Sequence, residues 1–317
     1  MKYNMLGRSG LKVSEMCLGI LPMGPLQANI PEPEGAAIIR KAIESGINFL
    51  DTAETYRTYS YIKRALKGYR GEVIIATKSP AALYLDMEKS VQLALDVLGR
   101  DYIDIFLLHA ARTGPEVLDK RRGALECLLD QKQKGVIRAV GISTHSIATV
   151  RRAARCPEID VIFPLINRTG TGIIDGTVGE MIAAIGEAAD SGKGVYAMKA
   201  LAGGHLVSDI EGAIDFVRKI RGVSSVAVGV VREPELMADL AVFNDMPIPD
   251  DLRQLCKRDT KRLVVIKNVC KGCGTCVEAC PNGALAVMDG KAQVDHTKCI
   301  LCGYCYPECP QFALRLV

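Results

Sequence analysis

Over about the first 245 residues, short apolar runs alternate with longer amphipathic segments. The runs at 16–19, 47–50, 73–76, 103–108, 137–142, 161–166, 195–198 and 223–230 are nearly continuous in Val, Ile, Leu and Ala. A strand that is apolar toward both faces must be covered on both, which predicts a parallel sheet with helices on either side. Helical periodicity fills the intervals, as at 34–45, 86–98 and 115–134. Two later helix starts read as capping boxes, Thr177 with Glu180 and Ser208 with Glu211. Eight strand–helix units in this length predict an α/β fold, a (β/α)8 TIM barrel over 1–245, in preference to an open doubly wound sheet. No G-x-G-x-x-G follows the first strand, which weighs further against the open sheet.

Beyond the barrel, 246–262 reads as a helical linker, its helix expected over 250–262 after Pro249 and spanning roughly 20 Å. Residues 263–317 then form a small α+β domain of different composition. Hydrophobic residues make up 49% of the chain and charged residues 24%, the usage of an ordinary globular protein. A formal charge of +4 spread along 317 residues gives no basic face for nucleic acid. No apolar run approaches the roughly 18 residues that cross a bilayer. The opening MKYNMLGRSGLKVSEMC lacks the apolar stretch of a secretion signal, so no membrane association and a cytoplasmic location are expected.

Twelve cysteines change this picture, because eight of them fall between 270 and 309. The other four, Cys17, Cys127, Cys156 and Cys256, read as small packed apolar residues. Without an export signal a disulfide framework is not expected, and the eight read as metal ligands. Cys270, Cys273, Cys276 and Cys280 precede Pro281, and Cys299, Cys302, Cys305 and Cys309 repeat that spacing before Pro310. Both halves continue C-P-x-x-A-L, with a turn-like Asp289-Gly290 between them, so the domain is an internal repeat. Two-residue gaps let three thiolates from one loop reach three irons of a cubane, with backbone N–H groups directed at the sulfurs and the fourth corner supplied from elsewhere. Structural zinc is the competing reading, but it favours two separated C-x2-C pairs over a triple with a distant fourth ligand.

The domain resembles the bacterial two-cluster ferredoxins, in which the fourth cysteine of each run serves the other cluster. The resemblance implies one [4Fe–4S] cluster on Cys270, Cys273, Cys276 and Cys309, and a second on Cys299, Cys302, Cys305 and Cys280. Five basic and four acidic side chains give 263–317 a charge of +1, which two oxidised cubanes would bring to about −3.

Within the barrel, each strand from the second to the eighth is followed by a polar residue: Asp51, Lys78, His109, Ser143, Asn167, Lys199 and Arg232. A parallel barrel gathers its strand C-termini at one rim, so these groups are expected around one mouth. Singly, each has a structural reading, since rim lysines snorkel and lone histidines are usually packing residues. Seven in register point to a site.

The chain is similar to the aldo-keto reductases over 1–245, on the opening LGRSGLKVSEMCLG and on NFLDTAETY, VIIATKS and DYIDIFLLH. The combined layout resembles the ferredoxin-tailed branch of that superfamily. The resemblance implies a catalytic tetrad of Asp51, Tyr56, Lys78 and His109. Tyr56 would protonate the alkoxide formed on carbonyl reduction, Lys78 held by Asp51 would lower the tyrosine pKa, and His109 would orient the carbonyl. It implies NADP(H) or NAD(H) as well, with Ser143 and Asn167 on the carboxamide. The loop carrying Lys199, Leu201 and Gly204 would lie beneath the pyrophosphate, and Gly229, Arg232 and Glu235 would hold the adenosine phosphate. The family usually has Gly where this chain has Arg57, Asn at Thr144, Gln at Asn167 and Asn near Asp239.

The expected function is an NAD(P)H-dependent carbonyl or alcohol oxidoreductase coupled to iron–sulfur electron transfer, with a ferredoxin or flavoprotein as redox partner. Two alternatives stand beside it: an electron-transfer component whose barrel is a docking scaffold, and an ordinary reductase with structural clusters.

Overall fold

The computed structural model describes residues 1–111, 113–256, 262–306 and 308–316. Runs such as Ile103–Ala110, buried along almost their whole length, need cover on both sides. They find it by closing into a ring. The strands Met16–Gly19, Phe49–Asp51, Ile74–Ser79, Ile103–Ala110, Ile137–Thr144, Val161–Pro164, Gly194–Ala197 and Ser225–Gly229 pair in parallel in chain order, and the eighth returns to the first through Val226 and Met16. One set of side chains fills the inside, among them Phe49, Ile105, Leu107, Phe163 and Tyr196, and the opposite set packs against the helices. An N-terminal hairpin of Tyr3–Met5 and Lys12–Ser14 sends Leu6, Leu11 and Val13 into the bottom of the barrel. Gly7 permits that close approach: its φ is +54°, and a Cβ there would lie 2.3 Å from the Gly194 amide nitrogen.

The strands sit within a few residues of their expected places, and three helical expectations are corrected. The pattern at 115–134 divides into Val117–Lys120 and Arg122–Gln133, because Arg121 between them has φ −113° and ψ 31°. Thr177 and Glu180 form the expected capping box. The next helix, Ile210–Arg218, is capped by Asp209 and not by Ser208, since it begins one residue later and the Asp209 carboxylate accepts from the Gly212 amide at 3.0 Å. The linker helix starts after Pro249 but covers Asp250–Leu255, and 257–261 of its expected span lie outside the described residues. Cys17, Cys127 and Cys256 are buried, whereas Cys156 is only half-buried.

The C-terminal domain is built from two small antiparallel pairs, Leu263–Val265 with Leu314–Leu316 and Leu285–Met288 with Lys291–Val294. The second pair turns at Asp289 and Gly290, both with positive φ, as a type I′ turn requires. The domain sits on the C-terminal rim of the barrel. Gln27 donates to the Leu301 carbonyl at 3.1 Å, and His205 Nε2 lies 2.6 Å from the Cys299 carbonyl. Gly203, at φ +72°, has the Ile300 carbonyl oxygen where its Cβ would project, 2.0 Å away.

Replacing Asp209 by Ala removes a cap and is expected to cost about 1 kcal/mol in denaturant unfolding, while Ser208→Ala stays within about 0.5 kcal/mol.

Candidate active site

Strand register sets the site. Asp51 ends the second strand opposite Ala76, Lys78 on the third lies opposite Leu107, and His109 on the fourth lies opposite Ser143. Lys78 points inward and is 1% exposed. Its ammonium donates to both Asp51 oxygens, at 2.8 and 2.7 Å, and to the Thr52 carbonyl at 2.7 Å. The Tyr196 hydroxyl adds a 3.0 Å hydrogen bond to Asp51 Oδ2. Tyr196 is itself held by stacking on Phe163 at 3.9 Å between ring centres. Burial pushes the Asp51 carboxyl up and the Lys78 ammonium down, and their contact opposes both shifts.

Tyr56 ends the single helical turn Glu54–Tyr56 directly after this strand. The following residue, Arg57, takes the left-handed conformation (φ +56°) although it is not the glycine of the resemblance. Lys78 Nζ lies 5.0 Å from the centre of the Tyr56 ring, and the His109 ring meets that ring edge-on at 5.9 Å. All four tetrad residues therefore come together at the mouth. The expected lowering of the Tyr56 pKa is not the balance struck here. Burial, followed by Tyr304 and Asp51, holds the phenol well above its ordinary value.

Two further tyrosines belong to the site. Tyr196 reads in the sequence as one more apolar strand position. Tyr304 comes from the C-terminal domain, between Cys302 and Cys305; its hydroxyl is hydrogen-bonded to His109 Nε2 at 3.0 Å. Its ring packs with Leu26, Ala53 and Tyr56. An aromatic residue inside a C-x2-C step was the available signal.

The residues expected to hold nicotinamide are otherwise engaged. Ser143 is fully buried, with its hydroxyl 3.5 Å from the Leu108 carbonyl. Asn167 Oδ1 accepts from the Thr169 amide and hydroxyl and from the Thr171 amide, while its Nδ2 donates to the Thr171 carbonyl. Its amide is thereby occupied in shaping its own loop. Lys199 stands near Cys299 and Cys302, and burial pushes its pKa down. Leu201 is buried, and the loop through Gly204 lies against 299–301 of the C-terminal domain. Gly229 abuts Pro22, and Arg232 pairs with Glu235 at 3.1 Å at a helix start on the rim. With the domain docked in this way, these residues do not fit a nicotinamide beside the tetrad.

The eight cysteines surround two cavities. Cys270, Cys273, Cys276 and Cys309 line one, and Cys280, Cys299, Cys302 and Cys305 line the other. These are the interleaved sets that the ferredoxin resemblance implies. The repeated C-P-x-x-A-L has a visible purpose, as the Ala284 amide donates to Cys280 Sγ at 3.2 Å and the Ala313 amide to Cys309 Sγ at 3.3 Å. Gly272 and Ala292 direct their amides at Cys270 Sγ, at 3.4 and 3.3 Å. Thiolates around a cavity with N–H groups aimed at their sulfurs fit a cubane, whereas zinc draws four sulfurs to one point at about 2.3 Å. Among the described residues no three His, Cys, Asp or Glu side chains are arranged for a single metal ion.

A closed parallel barrel with a lysine–carboxylate pair beneath a tyrosine and a histidine at its C-terminal rim defines a class of oxidoreductases. The aldo/keto reductase family profile matches residues 15–221, and the chain belongs to that family. A 4Fe-4S dicluster domain matches 262–310. Among described relatives, an uncharacterized oxidoreductase, YqkF of Bacillus subtilis, is 32% identical over 161 residues, 45% of this chain and 49% of its own. L-Galactose dehydrogenase of Arabidopsis thaliana is 32% identical over 154 residues, 44% of this chain and 47% of its own. The chain spans about half the length of these relatives. A crystal structure from Pseudomonas aeruginosa, of a protein proposed to be an aldo-keto reductase, superposes with a TM-score of 0.67 at 26% identity, over 77% of this chain and 94% of that one. No helix among the described residues is long and apolar enough to cross a membrane.

Asp51→Ala leaves the Lys78 ammonium buried without its carboxylate, and is expected to cost about 3–5 kcal/mol in chemical unfolding.

Proposed function

We propose that the chain is a carbonyl or alcohol oxidoreductase of aldo-keto reductase type whose C-terminal domain exchanges electrons with a separate redox partner, a ferredoxin or a flavoprotein. The observation that carries this reading is the Lys78–Asp51 pair, held at 2.7 Å directly beneath Tyr56. On carbonyl reduction, Tyr56 delivers the proton to the oxygen that becomes the hydroxyl. Lys78 stands close enough to stabilise the phenolate left behind, and Asp51 keeps Lys78 charged. Tyr196 fixes the carboxylate from its other side. His109, at the edge of the Tyr56 ring, orients the carbonyl. On alcohol oxidation the same groups take the proton away.

Cys270, Cys273, Cys276 and Cys309 would hold one cluster, and Cys280, Cys299, Cys302 and Cys305 the other. When bound, such clusters supply one-electron transfer. The family's NADP(H) or NAD(H) would reach the tetrad only with the C-terminal domain displaced from the 201–204 loop, leaving Arg232 and Glu235 on the rim for its phosphate end. A cytoplasmic setting agrees with eight thiols kept as ligands. The close seating of the domain on the mouth favours one further reading, in which the barrel serves mainly as its scaffold.

Turnover of short aldehydes with dithionite-reduced ferredoxin or with NADPH separates these readings. Tyr56→Phe is expected to lower kcat by about 10²–10⁴-fold at unchanged iron content. Equal rates in wild type and variant would leave the scaffold reading. Anaerobic analysis is expected to find about eight irons per chain, and zinc in their place would remove the electron-transfer half.

A further inference from the structure

The oxygen position between Tyr56 and His109 already has an oxygen in it. The tetrad must hold a carbonyl oxygen where the Tyr56 hydroxyl and His109 Nε2 both reach it. In this structure the Tyr304 hydroxyl takes that place, 3.0 Å from His109 Nε2, with its ring packed against Tyr56. Its ring closes the pocket against Leu26 and Ala53, and Gly303 beside it has the Leu26 carbonyl 2.2 Å from where a Cβ would stand. Two oxygens cannot share one such position.

We infer that Tyr304 is an internal stand-in for the substrate oxygen and the specificity-determining residue that the C-terminal domain contributes to the barrel, so that a carbonyl compound binds only by displacing it. The inference rests on the tetrad reading above, which identifies what the position is for. Two consequences follow from the placement. A ligand must replace the hydrogen bond to His109 made by a phenol already packed in place, which disfavours weak carbonyl acceptors. Because residue 304 lies between Cys302 and Cys305, displacing its side chain also moves the loop that lines the second cysteine cavity.

The probe is n-butyramide, an uncharged carbonyl compound, titrated calorimetrically into the full-length, cluster-loaded protein. Tyr304→Phe keeps the ring and removes the competing oxygen, so it is expected to bind the amide at least ten-fold more tightly than wild type, with iron and sulfide content unchanged. Equal affinity in the two proteins overturns the inference, as does failure of both to bind; in either case the Tyr56→Phe turnover test still decides the tetrad separately. A measurement on the wild type alone guards against a variant that loses its clusters. In dithionite-reduced protein, saturating butyramide is expected to shift the g-values of one of two electron paramagnetic resonance signals. Saturation with an unaltered spectrum overturns the inference.

Discussion

A lysine ammonium taken out of water needs a counter-charge and filled hydrogen bonds at short range, or it loses its proton. Lys78 meets that demand inside the barrel mouth with both oxygens of Asp51 and the carbonyl of Thr52. The rest of the site follows from this constraint. Asp51 must end its strand level with the third strand, Tyr196 must reach it from the far side of the barrel, and Phe163 must fill the space below. The hairpin side chains Leu6, Leu11 and Val13 fill the opposite end. The aldo/keto reductase fold thereby holds one charge pair dry and places a tyrosine over it.

Much of this was legible in the sequence, because it depends on local pattern. Strand periodicity gave the barrel, the C-P-x-x-A-L repeat gave the two-fold cysteine domain, and the likeness to the aldo-keto reductases pointed to Tyr56. Boundaries were less legible. Ser208 and Asp209 are both good caps, and only the true first turn of the helix decides between them. Tyr196 was hidden because a strand position facing the interior looks the same whether its ring is inert or its hydroxyl holds a carboxylate.

The larger omission has a different cause. Nothing in a linear pattern states which face of one domain meets another. The docking depends on glycines that remove side chains where backbones meet, Gly203 against Ile300 and Gly303 against Leu26, and glycine carries no signature of its future neighbour. The consequence for the residues that the resemblance assigns to a dinucleotide is direct. Asn167 and the 201–204 loop stand at the rim where the family likeness puts them, but the first is tied to its own loop and the second to the cysteine domain.

The exchange of fourth cysteines between the two halves also sets an order of events during synthesis. The cavity begun by Cys270 lacks its last sulfur until Cys309 has left the ribosome, so neither half of the repeat can finish alone. A cluster on these sulfurs would be completed only after the barrel beneath, and a nascent chain carrying only the earlier run has four cysteines without their partners from the second.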